Sequence, residues 1–178
     1  MKKLLVAAIA VSILAGVCLI PLPFETTTRI VSSILILRPN EEVFNYVTTP
    51  SNWPKWHPSS LAVTGATDHS LRLNEQVTEN YRVAGHTGTA VWMVIERSEP
   101  SLWAIAAEVG GRNAGLVRYS LSAENGGTRF TREFLYYPRS LLTIALDRLS
   151  IRAQIDAEST QAVQQLKQIL ESSAPVKN

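Results

Sequence analysis

Two positions in this sequence put a full charge into an otherwise apolar alternation. In NEQVTENYRV, Glu79 falls on the same side as Val77, Tyr81 and Val83; in TRFTREFLYY, Arg132 falls with Phe130, Phe134 and Tyr136. A strand sends every second side chain to one face, so each charge goes wherever its apolar companions go. Facing inward, Arg132 can hold the carboxylate or phosphate of a ligand, and Glu79 can act as a base of raised pKa at the polar end of an apolar pocket. The same spacing also admits an Arg132–Glu79 pair, or two solvated faces, because alternation alone does not say which face of a sheet is buried.

A second cluster is SNWPKWHP, residues 51–58, where Trp53 and Trp56 stand one helical turn apart and His57 follows. Large aromatics at that spacing serve packing before chemistry. His57 has the intrinsic pKa of a general base. It is flanked by prolines in what reads as a surface turn, with no orienting partner in view. His69 and His86 fall in other loops, and three dispersed histidines without paired spacing argue against a zinc or iron site. No nucleophile elbow, Gly-rich phosphate loop or Walker motif is present, so catalytic residues are not assigned and no cofactor is implied.

The elements that would position these groups are legible in outline. TTRIVSSILIL, residues 27–37, is a β-branched strand stopped at Pro39; NEEVFNYV follows as a short amphipathic helix with Asn40 at its N-cap, and the prolines at 50, 54 and 58 restrict a second helix to about a turn and a half. A strand at 61–63, NEQVTENYRV, TAVWMVIER, LWAIAAEV, GLVRYSLSA and TRFTREFLYY then follow, separated by turns at AGHTG, SEPS, the glycines at 110 and 111, and ENGG. The economical topology is an antiparallel meander. From Ser140 to Leu170 the period changes, with Ile144, Ile151, Ile155, Ala162, Leu166 and Ile169 on one helical stripe broken near Ser150.

Composition narrows the function. The 178 residues carry a net charge of +2 that comes from Lys2 and Lys3, leaving the remainder balanced, which gives no basic surface for nucleic acid. The single cysteine, Cys18, lies in the N-terminal apolar run, so the rest of the chain has no thiol for a disulfide or metal. That run, Leu4–Ile20, follows a basic start and ends in two prolines. As a helix it would span about 25 Å, at the short limit for a membrane crossing. Residues 1–24 are therefore expected to be a membrane anchor or a signal sequence, with length and the lack of a good cleavage site favouring the anchor. LAGVC departs from a lipoprotein box because Val17 precedes the cysteine. The basic start leaves the N-terminus cytoplasmic and the domain in the periplasm or cell exterior; cleavage would instead secrete it. Residues 25–172 form the domain and 173–178 a polar tail.

The motifs make a family resemblance specific. Arg38-Pro39-Asn40-Glu41-Glu42-Val43-Phe44, Trp53-Pro54-Lys55-Trp56-His57-Pro58, Gly127-Thr128-Arg129-Phe130-Thr131 and the closing helix are similar to the START-like or SRPBCC superfamily, nearest its polyketide cyclase/dehydrase branch, over residues 27 to 171. The resemblance implies an α+β helix-grip: a curved antiparallel sheet of about seven strands around a long C-terminal helix, with two short helices after strand one and an apolar cavity between sheet and helix. Family members bind lipids, sterols, polyketides and other hydrophobic molecules, and some catalyse reactions in the cavity. The expected wall comprises Val91, Met93, Ile95, Trp103, Ile105, Val117, Tyr119 and Leu121, and the candidate ligand-binding set is Glu79, Tyr81, Met93, Trp103, Tyr119, Arg132 and Phe134. The expected partner is a hydrophobic small molecule or lipid. The rivals are an enzyme using Glu79, Arg132, Tyr81 or His57, marked by polar groups converging in the pocket, and an interaction module whose cavity has collapsed.

Overall fold

Alternating β-branched and aromatic segments joined by tight turns leave the chain little choice but to pair each strand with the next. The computed structural model describes residues 16, 18–22 and 26–172, so the expectations for most of the apolar run and for the 173–178 tail lie outside the described residues. Seven strands, β1 (Thr28–Ile36), β2 (Ser60–Gly65), β3 (Gln76–Val83), β4 (His86–Ser98), β5 (Leu102–Val109), β6 (Arg112–Glu124) and β7 (Gly127–Tyr136), form one antiparallel sheet. β1 departs from simple meander order by pairing with β7, giving β1-β7-β6-β5-β4-β3-β2. Helix α1 (Asn40–Thr48) and a short turn of 3-10 helix leading into α2 (Trp53–Trp56) lie between β1 and β2. The chain closes with α3 (Leu141–Leu146), a π-helical turn at Asp147–Ile151 and α4 (Arg152–Ser172). This is the α+β helix-grip, and the break expected near Ser150 is the π turn.

The long helix buries Ile155, Ser159, Ala162, Val163, Leu166 and Leu170, one stripe at i, i+3, i+4 and i+7, against the concave face of the sheet. One end of the grip is closed by aromatics. Trp53 meets Trp103 edge-on at 6.2 Å, Trp103 stacks on Tyr119 at 5.2 Å, and Trp56 stands edge-on to Phe130 at 6.3 Å. Trp53 also donates Nε1–H to the Val47 carbonyl at 2.9 Å, fixing α2 onto α1. The tryptophans therefore pack, as their spacing suggests, but at the floor of the grip rather than at its mouth.

Two turns and one motif have direct physical causes. Asn125 and Gly126 both take left-handed φ, as a two-residue hairpin requires, and so do Ala84 and Gly85. The AGHTG turn is thus shorter than its composition suggests: Gly88 lies within β4, where a side chain would collide with the Tyr81 ring. At Gly127 an added Cβ would strike the Ile36 carbonyl oxygen, and the neighbouring Thr128 hydroxyl bonds the Arg38 carbonyl at 2.7 Å and Asn40 Oδ1 at 2.8 Å. Asn40 is accordingly the first residue of α1, with Pro39 as N-cap, and its side chain ties α1 to β7 instead of capping the helix.

Trp53 is 4% exposed and meets both α1 and β5 through the contacts above. Trp53→Ala should cost about 3–5 kcal/mol and lower the thermal midpoint clearly, with or without ligand; calorimetry that finds an unchanged midpoint would remove the aromatic floor from this account.

Candidate functional site

Strand pairing decides which side chains enter the grip. Glu79 lies opposite Ala90, and Val77 opposite Trp92, so Ala90, Trp92 and Val94 share the concave face with Val77 and Glu79. Toward the opposite edge of the sheet, and on the same concave face, Arg132 sits between Ser32 of β1 and Tyr119 of β6. These inward residues and α4 enclose a cavity of about 350 Å³, within the range of small-molecule sites. Its walls are largely apolar, with Ile105, Ala107, Val117, Phe134 and Ile155 among them.

The polar groups concentrate toward the aromatic floor. Arg132, 7% exposed, donates Nη1–H to Ser159 Oγ at 3.0 Å, lies 5.4 Å above the Phe134 ring and interacts with the Tyr119 hydroxyl. Ser159 also receives the Ser32 hydroxyl at 3.1 Å, so β1, β7 and α4 meet at one buried polar node. Glu79 accepts Trp92 Nε1–H at 2.7 Å, with Ser60 nearby. Burial raises its pKa, opposed in turn by Ser60, Trp92 and the Arg132 charge. Burial also lowers the pKa of Arg132, while Tyr119 and Glu79 act to keep it charged. Glu79 and Arg132 thus feel each other's field without forming a direct ion pair among the described residues. The Tyr119 hydroxyl is pushed up to about 12 by burial, which keeps it protonated near neutrality.

His57 belongs to this end of the cavity. Its Nδ1 accepts the Ser59 amide at 3.3 Å, which places the proton of the neutral ring on Nε2. Nε2 is buried, as are Trp56 Nε1 and Arg132 Nε, and none of the three has a hydrogen-bond partner among the described residues. Enclosure by protein and then the positive Arg132 hold the His57 pKa well below 6.5. Donors therefore outnumber acceptors, which suits a ligand group rich in oxygen.

The sequence from 27 to 171 matches the family described as polyketide cyclase / dehydrase and lipid transport. The chain belongs to this family. The fold recurs in protein Ms6760 of Mycobacterium smegmatis, 17% identical, covering 86% of this chain and all of the other, with a TM-score of 0.59. It recurs in protein MLL2253 of Mesorhizobium loti, 14% identical over 83% of this chain and 99% of that one, TM-score 0.62. DynU16, a protein of the dynemicin biosynthetic locus, is 15% identical over 84% of this chain and 49% of its own length, with a TM-score of 0.58. No curated protein matches the chain. At these identities the solved structures establish the fold.

Within the family's grip, Glu79, Tyr81, Tyr119, Arg132 and Phe134 line the cavity. Met93 does not: it is 36% exposed on the convex face, together with Val91 and Ile95, because the Glu79–Ala90 register sends the even-numbered residues of β4 inward. Trp103 and Leu121 are buried in the core without lining the cavity. His57 is half-buried with its Nε2 enclosed, rather than on an open surface turn. Trp92, Ser60 and Ser159 complete the polar end and were not singled out from the sequence. Trp92 lay within an apolar run where either parity reads as core; the two serines have no local signal, since only tertiary pairing brings them to Glu79 and Arg132.

The His57 shift has a definite sign. A ring that resists protonation when folded, but titrates near 6.5 when unfolded, costs stability as pH falls below about 6.5. Replacing His57 with Gln should flatten the fall of thermal midpoint with pH from about 6.5 downward, and parallel midpoint–pH curves for wild type and H57Q would contradict the buried neutral imidazole.

Proposed function

We propose that this chain binds a hydrophobic small molecule or lipid bearing an anionic oxygen group, with the apolar body in the grip and the head near Arg132. The observation that carries this reading is a buried guanidinium at the end of an apolar cavity, beside donors on His57 and Trp56 that have no partner among the described residues. A guanidinium enclosed in this way is held chiefly by neutral hydroxyls, so an anionic ligand gains from its charge without first breaking a strong internal ion pair. A cavity of about 350 Å³ also argues against the collapsed interaction module. We further propose that the N-terminal apolar run holds the protein at a membrane, with the domain on the periplasmic or outer side; cleavage of the run would make it secreted. Support for this is the basic start, the apolar length of residues 4–20 and the lack of a good cleavage site. The reading involves no cofactor and no nucleic acid.

One observation favours a second reading. Glu79, His57, Tyr119 and Arg132 converge at one end of the cavity, as an enzyme of the cyclase or dehydratase kind would require. In that case Glu79, whose pKa burial raises, exchanges the proton, and Arg132 with the neutral His57 steadies the developing oxyanion.

Dodecanoic acid and dodecanol separate the head group from the chain. Wild type should prefer the acid, and Arg132→Met should lose about 1.5–3 kcal/mol of acid binding while keeping its affinity for the alcohol. Equal binding of acid and alcohol to wild type, or an acid affinity untouched in R132M, would refute the role given to Arg132.

A further inference from the structure

The open end of the cavity carries an apolar surface that packing does not explain. α3 buries none of its residues, yet Leu141, Leu142 and Leu146 are 48%, 40% and 42% exposed, and Leu149 in the π turn is 81% exposed. The turn is pinned from beneath: Asp147 is buried and accepts the hydroxyls of Tyr136 and, at 2.8 Å, Thr28. Holding Asp147 inward leaves Leu146 and Leu149 outward. Thr143, Asp147 and Ile151 from the same segment line the cavity, so the exposed leucines stand on its rim.

The end of the N-terminal apolar run is fastened to this rim. Pro21 forms a bridge with Ser140, the N-cap of α3, and the Leu22 amide donates to the Arg139 carbonyl at 2.7 Å. Leu19 and Ile20, just before, are 62% and 59% exposed. Arg139, Arg148 and Arg152, which neighbour these leucines in sequence, are exposed. Apolar side chains flanked by arginines suit the interface of a bilayer with anionic lipids, where the leucines enter the acyl boundary and the arginines meet phosphates.

We propose that the rim formed by α3 and the π turn is a bilayer-docking face, so that the cavity opens onto an anionic membrane and exchanges its ligand there directly. This rests on the membrane tethering proposed above. It adds an orientation: the tether leaves the domain beside the cavity mouth, and the leucines hold that mouth down. The aromatic floor then points away from the lipid.

The test uses the full chain carrying Cys18→Ser, reconstituted with phosphatidylcholine vesicles containing phosphatidylglycerol. A nitrobenzoxadiazole dye is placed on Leu149→Cys, or on Leu73→Cys, whose native leucine is 53% exposed in the loop before β3 at the other end of the sheet. The dye at 149 should shift to the blue and be quenched by lipids spin-labelled in their acyl chains, and the dye at 73 should stay aqueous. The double variant Leu142→Glu/Leu149→Glu should take up dodecanoate from vesicles at least tenfold more slowly, with unchanged affinity for dodecanoate in solution. Protein that does not stay with the vesicles would overturn the tether, and the docking face with it. Protein that stays bound while both dyes remain in water would overturn the docking face alone. Shielding at 149 without lipid, accompanied by dimer mass, would assign the face to a second copy of this chain and overturn the proposal.

Discussion

The structure depends on enclosing the Arg132 guanidinium within an apolar grip. Moving an isolated charge out of water costs several kcal/mol even after relaxation, so its surroundings must supply polar contacts that a plain core would omit. Ser159 comes from the long helix, Tyr119 from the adjacent strand, and Ser32 reaches the same node from β1 by way of Ser159. Glu79 contributes opposite charge from β3 at the same polar end of the cavity, and Phe134 offers its ring face. That requirement ties sheet, helix and cavity together at one point. It also explains a serine, Ser159, within the buried stripe of α4, where leucine or alanine would pack more simply.

The grip has two unlike ends for the same reason. The floor is stiff, because Trp53, Trp56, Trp103, Tyr119 and Phe130 interlock and α1 is bonded to β7 through Thr128 and Asn40. The rim is built from turns, α3 and the π turn. Between floor and rim, Glu158 of α4 spans two loops by accepting the Ser59 hydroxyl at 2.7 Å and the Ala84 amide at 3.0 Å. Rigid charge placement at depth and a lighter, apolar rim are what a protein needs if it recognises a head group by geometry and admits a chain by hydrophobicity.

The sequence made the architecture legible because its periods are clear and its punctuation is strong. Alternation located β3 and β7, the Asn125-Gly126 pair located the hairpin that joins β6 to β7, and the change of period after Ser140 located the long helix. Alternation also put Glu79 on the same face as Val77 and Arg132 on the same face as Phe130, and both lie on the concave side. It failed at TAVWMVIER, where residues of both parities are apolar and only pairing with β3 selects Trp92 over Met93. It also could not place His57, whose Nε2 is buried at the polar end of the cavity despite its proline neighbours. The Ser32–Ser159–Arg132 node joins residues 127 and 27 positions apart, and no local pattern announces such a meeting.

The most direct test of the central claim is native mass spectrometry of the full chain extracted gently in detergent, with the released small molecules identified after denaturation. Wild type should carry a stoichiometric hydrophobic ligand with an anionic oxygen group, and Arg132→Met should be depleted of it. A cavity that carries only detergent in both proteins, even after equilibration with total lipid extract, would contradict it.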